Sequence, residues 1–253
     1  MTDSPAPASG ATVEPVRPGA PSPAIRNLVI GILVSMVVAN QVGAALFPSL
    51  VNDHPLTLIL LNASNRHLAL ASGNLDALSF YAGGFVRLIA PDLFFFLLGR
   101  WYGDAAIVWM ERKAPTYGEL LRGLERWFTK ARFAIVAFMP NNPVCLFAGA
   151  AGMSAGAFWA ANVLGTVARL VLIRTFSTAF EDLLGPVRDF IGEYRWPLTA
   201  LSVVLVILSM ASDRRGGRDG IGDLVNLEEG MAEAEAELES EATMDASEAS
   251  EAE

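Results

Sequence analysis

Residues 75–103 read LDALSFYAGGFVRLIAPDLFFFLLGRWYG, and the fold turns on this stretch. At the 1.5 Å rise of an α-helix, the apolar run from Leu75 to Leu98 is long enough to cross a hydrocarbon core about 30 Å thick. It ends at Trp101 and Tyr102, the residue types that collect at a membrane interface. Working outward, comparable runs occupy residues 28–51, interrupted only by Asn40 and Gln41, and residues 155–176 and 196–211. The composition agrees: of 253 residues 53% are hydrophobic and 18% charged, with a mean hydropathy of +0.40, too apolar for a soluble chain of this size.

Two further apolar segments are too short to cross. PLTLILL at 55–61 runs into NASNRHLALAS, and FAIVAFM at 133–139 breaks at Pro140-Asn141-Asn142-Pro143 before VCLFAGAAGM resumes. Polar residues at their centres cannot face lipid, so each is expected to enter the membrane and return as a re-entrant hairpin. Between the second and third spans, residues 99–132 carry Arg100, Arg112, Lys113, Arg122, Arg126, Lys130 and Arg132 among apolar residues at helical spacing. This is the pattern of a basic amphipathic helix lying on the membrane surface. By the positive-inside rule that segment is cytoplasmic, and both termini fall on the same side. The expected fold is therefore an all-α integral membrane protein with about four transmembrane helices and two re-entrant hairpins entering from opposite faces. Broken hydrophobic segments in corresponding halves point to an inverted repeat with a transport site between them.

The ends differ from this core. Residues 1–26 are rich in Pro, Ala and Ser and are expected to be disordered, while residues 27–211 form the transmembrane domain. From Asp213 onward there are 14 acidic and three basic residues, so the acidic balance of the whole chain belongs to its tail. Residues 212–253 are expected to be solvated and disordered or at most transiently helical, with a basic protein as the kind of partner they would take. The basic segment would favour anionic lipid, and nucleic-acid binding is not expected.

Ionisable and polar groups inside apolar runs supply the candidate site. Asp92, beside Pro91, and Arg169 lie at depths where an unpaired charge costs about 2.5–3.5 kcal/mol on insertion scales. Either Asp92 titrates or faces a cation on the wall of a polar cavity, balanced by Arg169, or the two form a packing salt bridge while Arg87 and Arg174 reach for the interface. The first hairpin offers Asn62, Asn65, Arg66 and His67, which either coordinate a lipid phosphate, His67 adding charge below about pH 6.5, or form a solvated loop tip. The second hairpin offers Asn141 and Asn142. Gly152-Met153-Ser154-Ala155-Gly156 matches a nucleophile-elbow pattern, but both histidines, His54 and His67, precede it, and a helix-packing role for Gly149, Gly152 and Gly156 is the better account. Cys145 is the single cysteine and reads as a buried hydrophobe. No pattern for a metal, a cofactor or a catalytic constellation is present, so no enzymatic activity is expected. The sequon Asn62-Ala63-Ser64 sits in an apolar hairpin, which argues against glycosylation.

Asp92-x6-Gly99-Arg100-x2-Gly103, then the Arg-rich stretch ending ERWFTKARF, then FMP, AGAAGM and FWAANVLG, resemble in order and spacing the DedA family, also called the VTT or SNARE-associated Golgi protein family. The resemblance covers roughly residues 50 to 210. It implies a bacterial cytoplasmic-membrane protein with paired re-entrant hairpins, in a family linked to moving lipids or lipid-linked phosphates between leaflets, often coupled to protons. Where the family carries an acidic residue in the first hairpin, this chain has the Asn62–His67 cluster; where it carries arginines around the proline of the second, this chain has Ala137 and Pro143. The expected function is lipid or lipid-phosphate translocation. A non-transporting scaffold acting through its tail and a small-solute or ion-coupled transporter are the alternatives.

Overall fold

A computed structural model describes residues 21–113, 133–138, 141–215 and 220–251. Among these, every regular element is helical. The elements are α1 (Pro23–Ala45), α2 (Phe47–Asp53), α3 (Pro55–Leu61), α4 (Asn65–Ser72), α5 (Ala77–Tyr102), α6 (Asp104–Lys113), a helical stretch over 133–138, α7 (Asn142–Ala150), α8 (Ala155–Ala179), α9 (Glu181–Glu193), α10 (Arg195–Arg215), α11 (Gly220–Val225) and α12 (Leu227–Glu251). Four of them, α1, α5, α8 and α10, are long and apolar enough to cross a membrane. In the most apolar part of α10 only 6% of the residues are buried by protein. Such a helix can be stable only where its surroundings are themselves apolar.

Local chemistry sets the boundaries. Asp76 caps α5 by accepting the Ser79 N–H at 3.0 Å, Ser154 caps α8, and Asn141 caps α7 by accepting the Val144 N–H at 3.0 Å. The first span lies at Pro23–Ala45 rather than 28–51. It starts within the segment expected to be disordered, because Ser22 caps it and Pro23 suits a first helical turn. It ends early because Pro48 cannot continue the hydrogen-bond ladder. Gly103, at φ 54°, ends α5 and turns the chain into α6. Residues 99–102 thus complete a span instead of opening a surface helix; of that expected helix only Asp104–Lys113 falls among the described residues, and Arg122, Arg126, Lys130 and Arg132 lie outside them.

α5 is the axis of the structure. α8 runs antiparallel to it, with Leu170 against Gly84, Asn162 bonded to Asp92, and Phe158 stacked on Phe96 at 4.0 Å between ring centroids. α7 crosses α5 so closely that a Cβ on Gly149 would stand 2.1 Å from the Phe96 carbonyl oxygen, and one on Gly99 would stand 1.9 Å from that of Leu146. Gly149 therefore does pack helices, whereas Gly152 and Gly156 have no neighbour within 4 Å of where a Cβ would be. Gly152, at φ 69°, instead closes the end of α7: Met153 N–H reaches the Ala148 carbonyl and Gly152 N–H that of Gly149. On the other side of α5, Leu56 packs over Gly83 and Arg87 reaches the end of α3 at Leu61.

Two polar regions are more ordered than their composition suggests. The stretch between the last two spans forms α9, whose buried Arg188 pairs with Glu181 and fills the space over Gly73, while Asn52 donates to the Arg188 carbonyl at 2.9 Å. The acidic tail, expected to be disordered or at most transiently helical, forms α11 and α12, with Leu224, Leu227 and Met231 in the same core as Trp109 and Met110 and Ala234 also buried. The physical reason is an apolar stripe at spacings of three and four residues, enough to seat one face of a helix however charged the other faces are.

Candidate functional site

Pro91 and Asp92 sit mid-way along α5, and a short helical turn approaches them from each end of that helix. From the α5 N-terminal side, the turn between α3 and α4 places Asn62, Ala63, Ser64 and Arg66 with Asn40, Arg87, Leu88 and Pro91 around a cleft of about 250 Å³. From the C-terminal side, the start of α7 brings Cys145 against Asp92 and Asn162, while Ala137, in the preceding helical stretch, lies over Gly165.

The first cleft is cationic. Arg87 does not reach for an interface. Its guanidinium turns inward and donates to the Met36 carbonyl at 3.2 Å and the Leu61 carbonyl at 3.0 Å, tying α1 and the end of α3 to α5. Arg66 is exposed and makes no hydrogen bond to protein among the described residues. Asn62 is buried, donating to the Asn40 carbonyl at 3.0 Å and accepting the Ser64 N–H at 3.1 Å. The Ser64 hydroxyl is buried with no partner among the described residues. Ser64 also precedes the first turn of α4 without capping it through its side chain, so the leading N–H groups of that helix, next to the cleft, lack a side-chain cap. Two guanidiniums, a spare hydroxyl, a buried amide and a helix N-terminus form an anion-binding chemistry. At about 250 Å³ the cleft falls below the ~300–1,000 Å³ of sites for drug-sized ligands, and suits a compact headgroup.

His67 is not part of that charge. It is 1% exposed, stacked on Phe47 at 4.7 Å, with Nδ1 at 3.2 Å from the Asn62 carbonyl oxygen. Burial lowers its imidazole from the ordinary 6.5 to about 4, so it does not add the charge below about pH 6.5 that the phosphate-binding alternative gave it.

The second cluster surrounds Asp92, which is 4% exposed. Its Oδ2 accepts the Asn162 side-chain N–H at 3.2 Å, and Asn162 Oδ1 accepts the Thr166 hydroxyl at 3.1 Å. The expected partner, Arg169, is elsewhere: its guanidinium forks onto Asn65 Oδ1, Nη2 at 2.6 Å and Nε at 3.0 Å. Among the described residues Asp92 and Arg169 therefore form no direct salt bridge, although each still feels the other's charge; the 3.6-residue period carries Arg169 past Asp92 to the N-terminus of α4. Arg174 donates to the Leu75 carbonyl at 3.1 Å and lies over the Phe80 ring. Of the second-turn asparagines, Asn141 is used as a cap and Asn142 is exposed.

The structure thus gathers Asn62, Arg66 and, through Arg169, Asn65 on one side of Pro91, and Asp92 on the other. Arg87, Asn40, Ser64, Asn162 and Thr166 were missed as site residues. The last two could have been found, because Asn162, Thr166 and Arg169 fall at i, i+4 and i+7 in an otherwise apolar span and so share one face. That face runs from the α7 start to the α4 start. Among the described residues no group of His, Cys, Asp or Glu could hold a metal ion. Compared with protein-family models, curated proteins and solved structures, the chain matches none. The class that stands on the fold itself is a multi-pass helical membrane protein.

Proposed function

We propose that this chain moves an anionic lipid, of the lipid-phosphate kind, between leaflets, as a divergent member of the DedA family. The observation that carries this reading is the cationic cleft of Arg66, Arg87, Ser64 and the α4 N-terminus, set against the middle of a span. In this reading α3–α4 is the first re-entrant hairpin and 133–150 the second, entering from opposite faces and meeting at Pro91–Asp92, an inverted pair around one site. The cleft takes the phosphate while the acyl chains stay in lipid beside the exposed faces of α1 and α10. Asp92, held by Asn162, which Thr166 in turn bonds, lies one turn further along and serves as the proton-exchanging group. The basic segment and both termini face the cytoplasm of a bacterial cell, and no cofactor takes part.

The test is reconstitution into liposomes with a headgroup-labelled lipid phosphate, following leaflet exchange by quenching of outer-leaflet label. Arg66→Gln is the clean variant, since this side chain holds no part of the fold. Loss of a charge-assisted phosphate contact worth about 1.5–3 kcal/mol lowers exchange roughly 10- to 100-fold. Exchange by wild type no faster than in protein-free liposomes refutes lipid translocation. Uptake of free phosphate in place of lipid exchange assigns the cleft to a soluble anion.

A further inference from the structure

The docked tail shows what the surface beneath it can bind. α6 leaves the end of α5 just after Trp101 and Tyr102 and presents Trp109 and Met110, each under 10% exposed, followed by Arg112. α12 covers this face. Gly230 lets its backbone lie against the indole, since a Cβ there would stand 2.7 Å from Trp109 Cδ1. Leu227 and Met231 supply the apolar contact, and Arg112 pairs with Glu233 at 3.7 Å and with Glu237, one turn on. Trp109 and Arg112, three residues apart, lie on one side of α6 at the end of a membrane span, so an aromatic ring and a cation are presented together, as at an interface with anionic lipid. On that face the tail carboxylates stand where lipid phosphates would.

We infer that the Trp109–Arg112 face of α6 is a binding surface for anionic bilayer lipid, and that α12 is its intramolecular occupant, displaced when such lipid is abundant. Two electrostatic effects drive the exchange. The Arg112 ion pairs are half-exposed, with side-chain exposures of 39% for Arg112, 66% for Glu233 and 46% for Glu237, so water screens them and they yield readily to competing phosphates. The tail's excess of acidic residues is also repelled by an anionic surface within about a Debye length, ~8 Å at physiological salt. Opposing release is the burial of Leu227 and Met231, which keeps the tail docked on a neutral bilayer. The inference is independent of lipid translocation and concerns a different end of the molecule.

The test uses the full chain carrying Ala232→Cys, an exposed position next to the buried stripe, labelled with bimane. The native Cys145 is fully buried and stays unlabelled while folded. Trp109 quenches bimane at short range, so fluorescence reports docking, and Trp109→Phe identifies the quencher by abolishing the effect. The protein is placed in nanodiscs of phosphatidylcholine alone and of equal parts phosphatidylcholine and phosphatidylglycerol. The expected result is quenched emission in the first and roughly a twofold or greater rise in the second. With Arg112→Gln, which removes the shared ligand, that rise falls by at least about half. Equal quenching in both lipids overturns the inference, and so does absence of quenching in phosphatidylcholine. An undiminished rise in Arg112→Gln overturns the assignment of Arg112 to lipid.

Discussion

Gly149→Ala adds a single methyl group at the closest approach of two helices. The new Cβ would stand 2.1 Å from the Phe96 carbonyl oxygen and 2.8 Å from the Arg100 amide nitrogen, and both are backbone atoms of α5. Backbone in mid-helix cannot turn aside as a side chain can. Ordinary contact begins near 3.4 Å, so α7 must withdraw by about 1 Å along its interface, taking Cys145, Leu146 and Phe147 out of register. Overpacking of this kind costs about 1–3 kcal/mol, partly offset by the ~1 kcal/mol by which alanine favours a helix over glycine. The net loss of up to about 2 kcal/mol lowers the unfolding midpoint by up to roughly 8 °C at this chain length. Cys145, the single cysteine and fully buried in α7, reports the transition directly: a thiol-reactive dye added to detergent-solubilised protein fluoresces as the thiol becomes accessible on heating. Gly156→Ala is the matched control, because nothing lies within 4 Å of its added Cβ, and its midpoint should hold or rise. Equal midpoints for the two variants would refute the close-crossing account and restore the packing role that the sequence motif suggests for Gly156.

Two further outcomes follow from the buried polar groups. Asn162→Leu strips the Asp92 carboxyl of its hydrogen-bond donor while leaving the carboxyl buried, which costs about 1–3 kcal/mol; Asp92→Asn keeps the size and a polar partner and should fold with a midpoint near wild type. A lower midpoint for Asp92→Asn than for Asn162→Leu in the same dye assay would contradict this. His67 gives a pH dependence. Its folded-state value of about 4 lies below the ordinary 6.5, so the unfolded chain binds the extra proton. Stability from this group is complete above pH 6.5 and declines through the window from 6.5 to 4, by up to about 3 kcal/mol. In His67→Phe, which keeps the stack on Phe47, this decline should flatten; an unchanged pH profile of the midpoint would show that His67 is not its source.

The long elements were legible because length and hydropathy alone specify them. The spans over 75–98, 155–176 and 196–211 correspond to α5, α8 and α10 within a few residues, since no internal polar run competes with burial in hydrocarbon. α1 shifted because capping by Ser22 and the stop at Pro48 are local signals that outrank hydropathy at a boundary. α9 and α12 escaped notice because their charged faces dominate the composition. In each, however, apolar residues recur at spacings of three and four, as in Leu224, Leu227, Met231, Ala234 and Leu238. The site was partly legible: intramembrane depth singled out Asp92 and Arg169, and the polar turn singled out Asn62, Asn65 and Arg66. Which of these would meet was not, because partners in a helical membrane protein are chosen by rotation about helix axes. A step of seven residues along α8 separates Asn162, which bonds Asp92, from Arg169, which bonds Asn65. Arg87 was misjudged because the backbone carbonyls that hold it belong to α1 and α3, and no property of its own segment reveals them.

Pro91 has no N–H, so the carbonyl of Arg87 lacks its helical donor and one rung of α5 is missing between Arg87 and Pro91. The part of α5 before that rung is fastened to α3 through Gly83 and Arg87; the part after it is fastened to α7 through Gly99 and Gly149. Mechanically, α5 is two rods sharing one thinned joint, each welded to its own short partner. Force applied to either end of the molecule has this joint in its path.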